Sequence, residues 1–138
     1  ILMQIGLGAL VSGLDAGQIY NSWPLMNGNF FPNDSNLRDL FTLAAFETAS
    51  ILQFIHRKLA YLILLLFLYI FILIYKNKDF SHLKNIAKII FFILLIQVFL
   101  GIFTILSGAQ IVLASMHQIG SIFLISASVI FVYKNSRN

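Results

Sequence analysis

Three long apolar stretches limit what this chain can fold into more than any other feature of its sequence. They cover residues 59–75, 86–107 and 111–133. Each reaches the ~17 to 25 residues that an α-helix needs to cross about 30 Å of hydrocarbon. Since 59% of the residues are hydrophobic and only 10% are charged, the chain is predicted to be an all-α integral membrane protein.

A fourth apolar segment, residues 1–14, is too short to span a membrane by itself. It lacks the basic start and the cleavage site of a signal peptide, so we expect it to be the remaining end of a truncated helix. The predicted architecture is a single transmembrane domain over residues 1–138, an antiparallel four-helix bundle built from two similar helical hairpins. Its predicted parts are the first helix (1–14), an outer loop with an interfacial helix (15–50), and the second (51–75), third (86–107) and fourth (111–134) helices.

The basic residues predict how the chain is oriented in the bilayer. Lysine and arginine near membrane ends stay on the cytoplasmic side. The segment between the second and third spans and the C-terminal tail are therefore placed inside, and the 15–44 loop outside. The net charge of +4 follows from this topology, and no basic stripe or motif predicts nucleic-acid binding. The six inner basic residues are Lys76, Lys78, Lys84, Lys88, Lys134 and Arg137.

The outer loop is predicted to fold onto the bundle, because its aromatic and apolar residues are too many for a solvated linker. Asn21 and Trp23, in the stretch "GLDAGQIYNSWP", are expected to close over a site below. Further along, Ser35 or Asn36 can cap a helix over residues 37–48, with Asp39 in its first turn. This helix is expected to lie along the outer membrane interface.

The two hairpins repeat one pattern of polar residues. On each rising helix a glutamine is followed four residues later by a glycine, and each descending helix has a histidine near its outer start. One duplicated unit accounts for both, with the 15–44 segment inserted in the first copy. The residues are Gln4, Gly8 and His56 in the first hairpin, and Gln97, Gly101 and His117 in the second.

The two histidines lie at nearly the same predicted depth. At 1.5 Å per residue, His56 is about 28 Å from the inner end at Tyr75, and His117 is about 24 Å from Tyr133. Neutral imidazoles inside a membrane are costly unless they hold a metal or satisfy another partner. A porphyrin supplies four of the six ligands of its iron, so the pair predicts a haem held from both faces. The alternative is that each histidine only hydrogen-bonds a carbonyl or a polar neighbour.

Other polar residues lie close to the histidines. Arg57 can pair with haem propionates, although both Arg57 and Lys58 could instead snorkel to the headgroups. Gln53 and Gln118 could each orient an imidazole, or could make plain interhelical hydrogen bonds. Since the chain has no cysteine, no thiolate ligand or disulfide is expected. No catalytic residue is assigned.

Several motifs, in this order and spacing, resemble the C-terminal half of heme A synthase of the cysteine-free mitochondrial and bacterial type. They are "GLDAGQIYNSWPLM" (13–26), "QFIHR" (53–57), the glutamine and glycine of residues 97–101, and "MHQIG" (116–120). Trp23 departs from the family pattern, where phenylalanine is more familiar.

The resemblance implies an enzyme of two similar four-helix halves that oxidises the C8 methyl group of heme O to the formyl group of heme A, for cytochrome oxidases. It implies that His56 and His117 are axial ligands of a heme b, with heme O bound as substrate in the absent N-terminal half. It also implies a bacterial or mitochondrial inner membrane, with the histidine pair near the outer face. Besides the bilayer and the N-terminal half, heme O synthase and further copies of the chain are candidate partners.

Two other classes stay open. A b-type cytochrome module would transfer electrons without substrate chemistry, and two strong axial ligands favour it because they leave no open position for oxygen. A small transporter or assembly protein would bind no haem. The aromatic outer loop favours the oxidoreductase, since a covered site controls the access of water and substrate.

Overall fold

The computed structural model describes residues 1–137, and these residues form helices and turns with no β-strand. Three of the helices, Ala49–Lys76, Lys84–Leu106 and Ile111–Ser136, are long and apolar enough to cross a membrane, in agreement with the three predicted spans. The predicted helix limits lie within about two residues of the observed ends, the usual uncertainty of helix boundaries. The helices are α1 (Leu2–Gly13), α2 (Ala44–Glu47), α3 (Ala49–Lys76), α4 (Lys84–Leu106) and α5 (Ile111–Ser136), with 3-10 turns at Ala16–Gln18, Leu37–Phe41 and Lys78–Leu83.

The helices pack in sequence, α1 on α3, α3 on α4 and α4 on α5, with the most extensive contact between α4 and α5. Their common core lies towards the end of the helices that carries Lys76 and Lys84, which we call the basic end. Many other apolar side chains face outward, as expected where lipid surrounds the helices. Because a large cleft lies between α1 and α5, the closed four-helix bundle stays a prediction. The core residues are Ile74, Leu83, Ile86, Ala87, Ile90, Leu94, Leu124 and Ala127.

The loop over residues 14–48 lies at the opposite end, which we call the loop end. It begins at Asp15, whose backbone is left-handed with φ of 49°, a conformation that aspartate adopts more readily than most residues. Gly17 then approaches the turn between α4 and α5, where a Cβ at Gly17 would lie 3.1 Å from the Cβ of Ala109. The two hairpins therefore meet at the loop end.

The expected helix over residues 37–48 is broken into the 3-10 turn Leu37–Phe41 and the single turn of α2. Its predicted start is confirmed, because Asn36 is the N-cap and its backbone N–H donates to Asp39 Oδ2 at 3.1 Å. The break falls at Thr42, which is extended with ψ of 175°. The Thr42 hydroxyl donates to the Asp39 carbonyl and accepts from the Ala44 N–H, so side-chain hydrogen bonds replace helical ones there.

Candidate functional site

His56 on α3 and His117 on α5 are each packed against a glycine of the preceding long helix. A Cβ built at Gly8 on α1 would lie 3.2 Å from Cε1 of His56, and one at Gly101 on α4 would lie 3.2 Å from Cε1 of His117. Either contact is tighter than nine in ten real Cβ contacts, so a side chain at these positions would require the imidazole to shift by a few tenths of an ångström. Glycine leaves room for the ring, and the repeated glycine has the same packing role in both hairpins.

Both histidines line the same two cavities. One is a small cavity of about 120 Å³ beneath the loop, and the other is the open cleft of about 1000 Å³ between α1 and α5. Residues of α1, α3, α4 and α5 line both of them. The larger volume lies at the upper end of the roughly 300–1,000 Å³ typical of cofactor sites. The fold thus brings the two histidines to one site of sufficient size for a cofactor.

The two imidazoles have different hydrogen-bond partners. The side-chain nitrogen of Gln4 lies 3.0 Å from the backbone oxygen of His56 and 3.3 Å from its ring Nε2. Within residues 1–137, no side chain hydrogen-bonds the ring of His117, which lies beside the backbone of Gln97. Nδ1 is buried without a hydrogen-bond partner in both rings. The contact of Gln4 is a polar contact between α1 and α3.

Arg57 is only 5% exposed, and its Nη2 donates to the backbone oxygen of Ser22 at 2.7 Å. Its Nη1 is buried and has no partner in the described part of the chain. The side chain lines the small cavity, as does Tyr61 one turn further along α3. A buried guanidinium with an unused donor can bind an anionic group such as a carboxylate.

Lys58 points into a different environment from Arg57. Its Nζ lies 3.9 Å from the ring centroid of Phe30 and 5.1 Å from that of Phe54. Cation–π contacts therefore hold this ammonium group between loop and helix.

Neither Gln53 nor Gln118 is hydrogen-bonded to an imidazole in residues 1–137. Gln53 is 1% exposed and lines the small cavity, but its amide nitrogen donates to the backbone oxygen of Tyr20 at 3.2 Å. Gln118 is exposed and lines the large cleft. Because it directly follows His117, it lies about 100° around the helix and cannot face that ring. No hydrogen bond therefore supports the expected role of Gln53 or Gln118 in orienting an imidazole.

The two loop residues expected above the site have different positions. Trp23 lines the small cavity, and its indole N–H donates to the Tyr61 hydroxyl at 2.8 Å. Asn21 lies outside the lining of both cavities. Its amide nitrogen donates to the backbone oxygens of Gly17 and Ile105, each at 3.0 Å. Trp23 thus covers the cavity, whereas Asn21 fastens the loop to the end of α4.

A second anchor of the loop is Tyr20, which is 3% exposed. Its hydroxyl oxygen lies 2.7 Å from Asn33 Oδ1 and 3.0 Å from Asp34 Oδ1. Burial raises the pKa of Tyr20, and the hydrogen bond to the Asp34 carboxylate raises it further. The neutral phenol is therefore the form that suits this position.

Sequence reasoning did not assign Gln4, Tyr61, Gly8 or Gly101 to the site. The signal for Tyr61 was its position four residues after Arg57, which places both on one helix face. The signal for the other three was the repeated glutamine and glycine, whose contact with histidine appears only when the helices pack.

Among residues 1–137, no group of three or more histidine or acidic side chains could hold a bare metal ion.

Together, the three membrane-length apolar helices define an integral membrane protein, and its helices line a cleft of a size typical of cofactor sites. A family model described as "Cytochrome oxidase assembly protein" matches residues 1–129. The chain belongs to this family.

Similar proteins include heme A synthases, which confirms the resemblance seen in the motifs. The chain is 49% identical to that of Pelagibacter ubique over 137 residues, covering 99% of this chain and 40% of the relative. It is 42% identical to that of Rickettsia bellii, covering 100% and 40%, and 41% identical to that of Bartonella tribocorum, covering 86% and 33%. No solved structure matches the chain.

Proposed function

We propose that this chain is the C-terminal haem-binding half of a membrane oxidoreductase that converts the C8 methyl group of heme O into the formyl group of heme A. Similarity to heme A synthases over nearly its whole length supports the proposal, and the chain spans about 40% of the length of those relatives. The observation that carries it is the histidine pair, which comes from equivalent positions of two hairpins and lines one cleft.

The residues at the cleft fit an iron porphyrin. Two imidazoles on different helices match the two axial positions that a porphyrin leaves for protein ligands. Donors without partners at the site, Nδ1 of both rings and Nη1 of Arg57, provide further polar contacts. His56 and His117 would hold a heme b in this half, and the bound group would supply one-electron redox chemistry.

The surrounding side chains have supporting roles in this proposal. The free Nη1 of Arg57 is available to a propionate carboxylate, and exposed Gln118 offers a polar contact at the cleft. The loop with Trp23 would exclude water from the smaller cavity beneath it, and Gln53 and Asn21 hold this loop in place. Exclusion of water from the cavity beside the histidines would limit side reactions of a redox centre with solvent.

The complete enzyme requires more than this chain. In the proposal, an N-terminal half binds heme O as substrate, the bilayer surrounds both halves, and heme O synthase or further copies of the chain are candidate partners. The loop end faces the periplasm or the intermembrane space, with the C-terminus inside a bacterial or mitochondrial inner membrane. The lysines at the basic end support this orientation.

A b-type cytochrome module is the second candidate. The presence of both histidines in one cleft favours it, because two strong axial ligands leave no open position for substrate oxygen. The two candidates differ in whether joined halves convert heme O. They share the prediction that this chain binds haem.

The direct test of the function uses heme O. The chain is produced alone and joined to the N-terminal half of a relative, supplied with heme O, and the haems are extracted and separated by chromatography. We expect heme A from the joined halves only. Haem binding without heme A in either case would favour the cytochrome module.

The test of the ligands is spectroscopic. Purified chain with haem supplied should show a six-coordinate low-spin Soret band. His56→Ala and His117→Ala should each abolish or shift this band, with Lys88→Ala on the exposed surface of α4 as control. An unchanged spectrum in both histidine variants would refute the ligand assignment.

A further inference from the structure

The hydrogen bonds of Gln4 determine the proton position on the ring of His56. A backbone carbonyl can only accept a hydrogen bond, so the Gln4 atom 3.0 Å from the oxygen of His56 is its NH₂ group. The same NH₂ group lies 3.3 Å from Nε2 of His56 and donates to it with its second hydrogen. In a neutral imidazole the accepting nitrogen carries no proton, so the proton of His56 is on Nδ1.

This hydrogen bond and an iron bond at Nε2 exclude each other. A neutral imidazole has one lone pair in the ring plane, and at Nε2 of His56 the amide of Gln4 already engages it. No glutamine side chain hydrogen-bonds the ring of His117 within residues 1–137, although Gln97 occupies the matching position on α4 and its backbone lies beside that ring. The Gln97 amide instead packs against Gly120, where a Cβ would overlap it.

Release of Nε2 would leave Gln4 attached to the helix. Its contact with the backbone oxygen of His56, at 3.0 Å, is shorter than its contact with the ring, at 3.3 Å. Loss of the longer contact therefore frees the nitrogen at a modest cost, while the shorter contact keeps the side chain nearby.

We propose that Gln4 is a positioning residue that sets the order of haem ligation, so that iron binds His117 first and His56 second. This inference rests on the proposed function, since it concerns the same two ligands. It adds a role for α1, which contributes no ligand, and it assigns different roles to two histidines that look equivalent in the sequence.

The kinetic test uses the purified chain in nanodiscs, mixed rapidly with ferric haem. Wild type should form a five-coordinate high-spin species and then a six-coordinate low-spin species. Gln4→Met keeps the side-chain length but removes the donor, and should accelerate the second phase about 2- to 10-fold, as expected for loss of one competing hydrogen bond. Gln97→Met, the matched change in the second hairpin, should leave this phase unchanged.

Single-histidine variants test the order itself. His56→Ala should show the first phase and lack the second, whereas His117→Ala should form its five-coordinate species more slowly than His56→Ala does. Equal rates in these two variants, or a second phase in Gln4→Met no faster than in wild type, would overturn the inference. If wild type binds no haem at all, the proposed function fails.

A measurement without haem tests the inference separately. Nitrogen-15 NMR of the ring nitrogens distinguishes the two neutral tautomers, and the chain has only three histidines to assign. His56 should carry its proton on Nδ1 in wild type, and this preference should weaken in Gln4→Met. A proton on Nε2 of His56 in wild type would refute the hydrogen bond on which the order depends.

Discussion

The two hairpins hold their histidines in the same way and differ at the loop end. In each, the glycine four residues after a glutamine leaves room for Cε1 of the ring at the same 3.2 Å. The first hairpin then carries the 14–48 loop, whereas the second closes in a tight turn with positive φ at Gly108 and Ala109. Both hairpins share the packing of histidine against glycine. We expect this packing to matter most for a ligand that is held by both histidines.

The glutamines show where the copies have diverged. Gln4 reaches the backbone and ring of His56, while Gln97 is packed against Gly120 between α4 and α5. The counterpart of Gly120 in the first hairpin, three residues after its histidine, is Leu59. In the second hairpin the glutamine packs against Gly120, and no glutamine side chain hydrogen-bonds the imidazole. In the first hairpin the glutamine is hydrogen-bonded to the imidazole instead.

The largest expected effect comes from filling the shared space beneath the rings. Gly8→Val and Gly101→Val each add a branched side chain where a Cβ alone already lies 3.2 Å from an imidazole. Displacement of the ligand at a cost of about 1–3 kcal/mol should lower haem content about tenfold or more in both variants. Soret absorbance per purified chain measures it.

Gly6→Val is the matched control for this pair, because a Cβ at Gly6 on α1 has nothing within 4 Å. It carries the same unfavourable β-branched residue in a helix and should bind haem normally. Loss of haem in only one of the two test variants would show that the hairpins are not equivalent at their shared contact.

The next largest effect concerns the loop that only the first hairpin has. Arg57→Gln removes the bond to the Ser22 carbonyl, and hydrogen bonds to charged groups contribute about 1.5–3 kcal/mol. Amide hydrogen exchange in residues 19–23 should become about 10- to 100-fold faster, with a smaller change in the turn at 107–110. Arg38→Gln, at an exposed loop position, serves as control, and equal protection in the Arg57 variant and wild type would contradict the anchoring role.

The sequence predicted the long helices correctly because they depend on a local quantity, whereas the depth of the histidines stays a prediction. A span must be apolar along its whole length, and depth follows from counting residues at a fixed rise. The partners of the polar side chains were not predictable in this way. Gln53 donates to the carbonyl of Tyr20, a backbone atom that any residue would supply, and the contact of Gln4 depends on how α1 packs on α3.

The expected interfacial helix shows a second limit of the sequence pattern. Its cap at Asn36 was correctly predicted from residue type, because capping depends on neighbours in the chain. Its break at Thr42 depends on a hydroxyl that serves both Asp39 and Ala44. Apolar periodicity does not report this competition between side chain and backbone.

A moderate effect is expected from making the second hairpin resemble the first. Gly120→Ala places a Cβ where it overlaps the Gln97 amide. Because this amide is the end of a flexible side chain that can move aside, we expect a cost of about 1 kcal/mol, at the low end for overpacking. Gln97→Ala in the same chain should recover part of that loss of unfolding free energy, measured in mixed micelles. Gly6→Ala is the control. Additive effects of the two changes would show that they do not share a contact.

The smallest expected effect is the pH dependence of the loop anchor at Tyr20. Because burial and the Asp34 carboxylate raise the pKa of Tyr20 in the folded chain, folding favours the neutral phenol. The stability from this group is complete below the unfolded pKa of about 10 and is lost as pH rises through the higher folded value. Tyr20→Phe should lower the free energy of unfolding by about 0.5–1.5 kcal/mol at pH 8, and its difference from wild type should shrink above pH 10.

Trp23, the single tryptophan, reports loop unfolding by fluorescence in denaturant. Tyr69→Phe, at a 62% exposed position on α3, controls for the other tyrosines. This anchor belongs to the first hairpin only, because the second has no such loop. If the difference in unfolding free energy between Tyr20→Phe and wild type stayed constant up to pH 11, the Tyr20 phenol would not be what holds the loop.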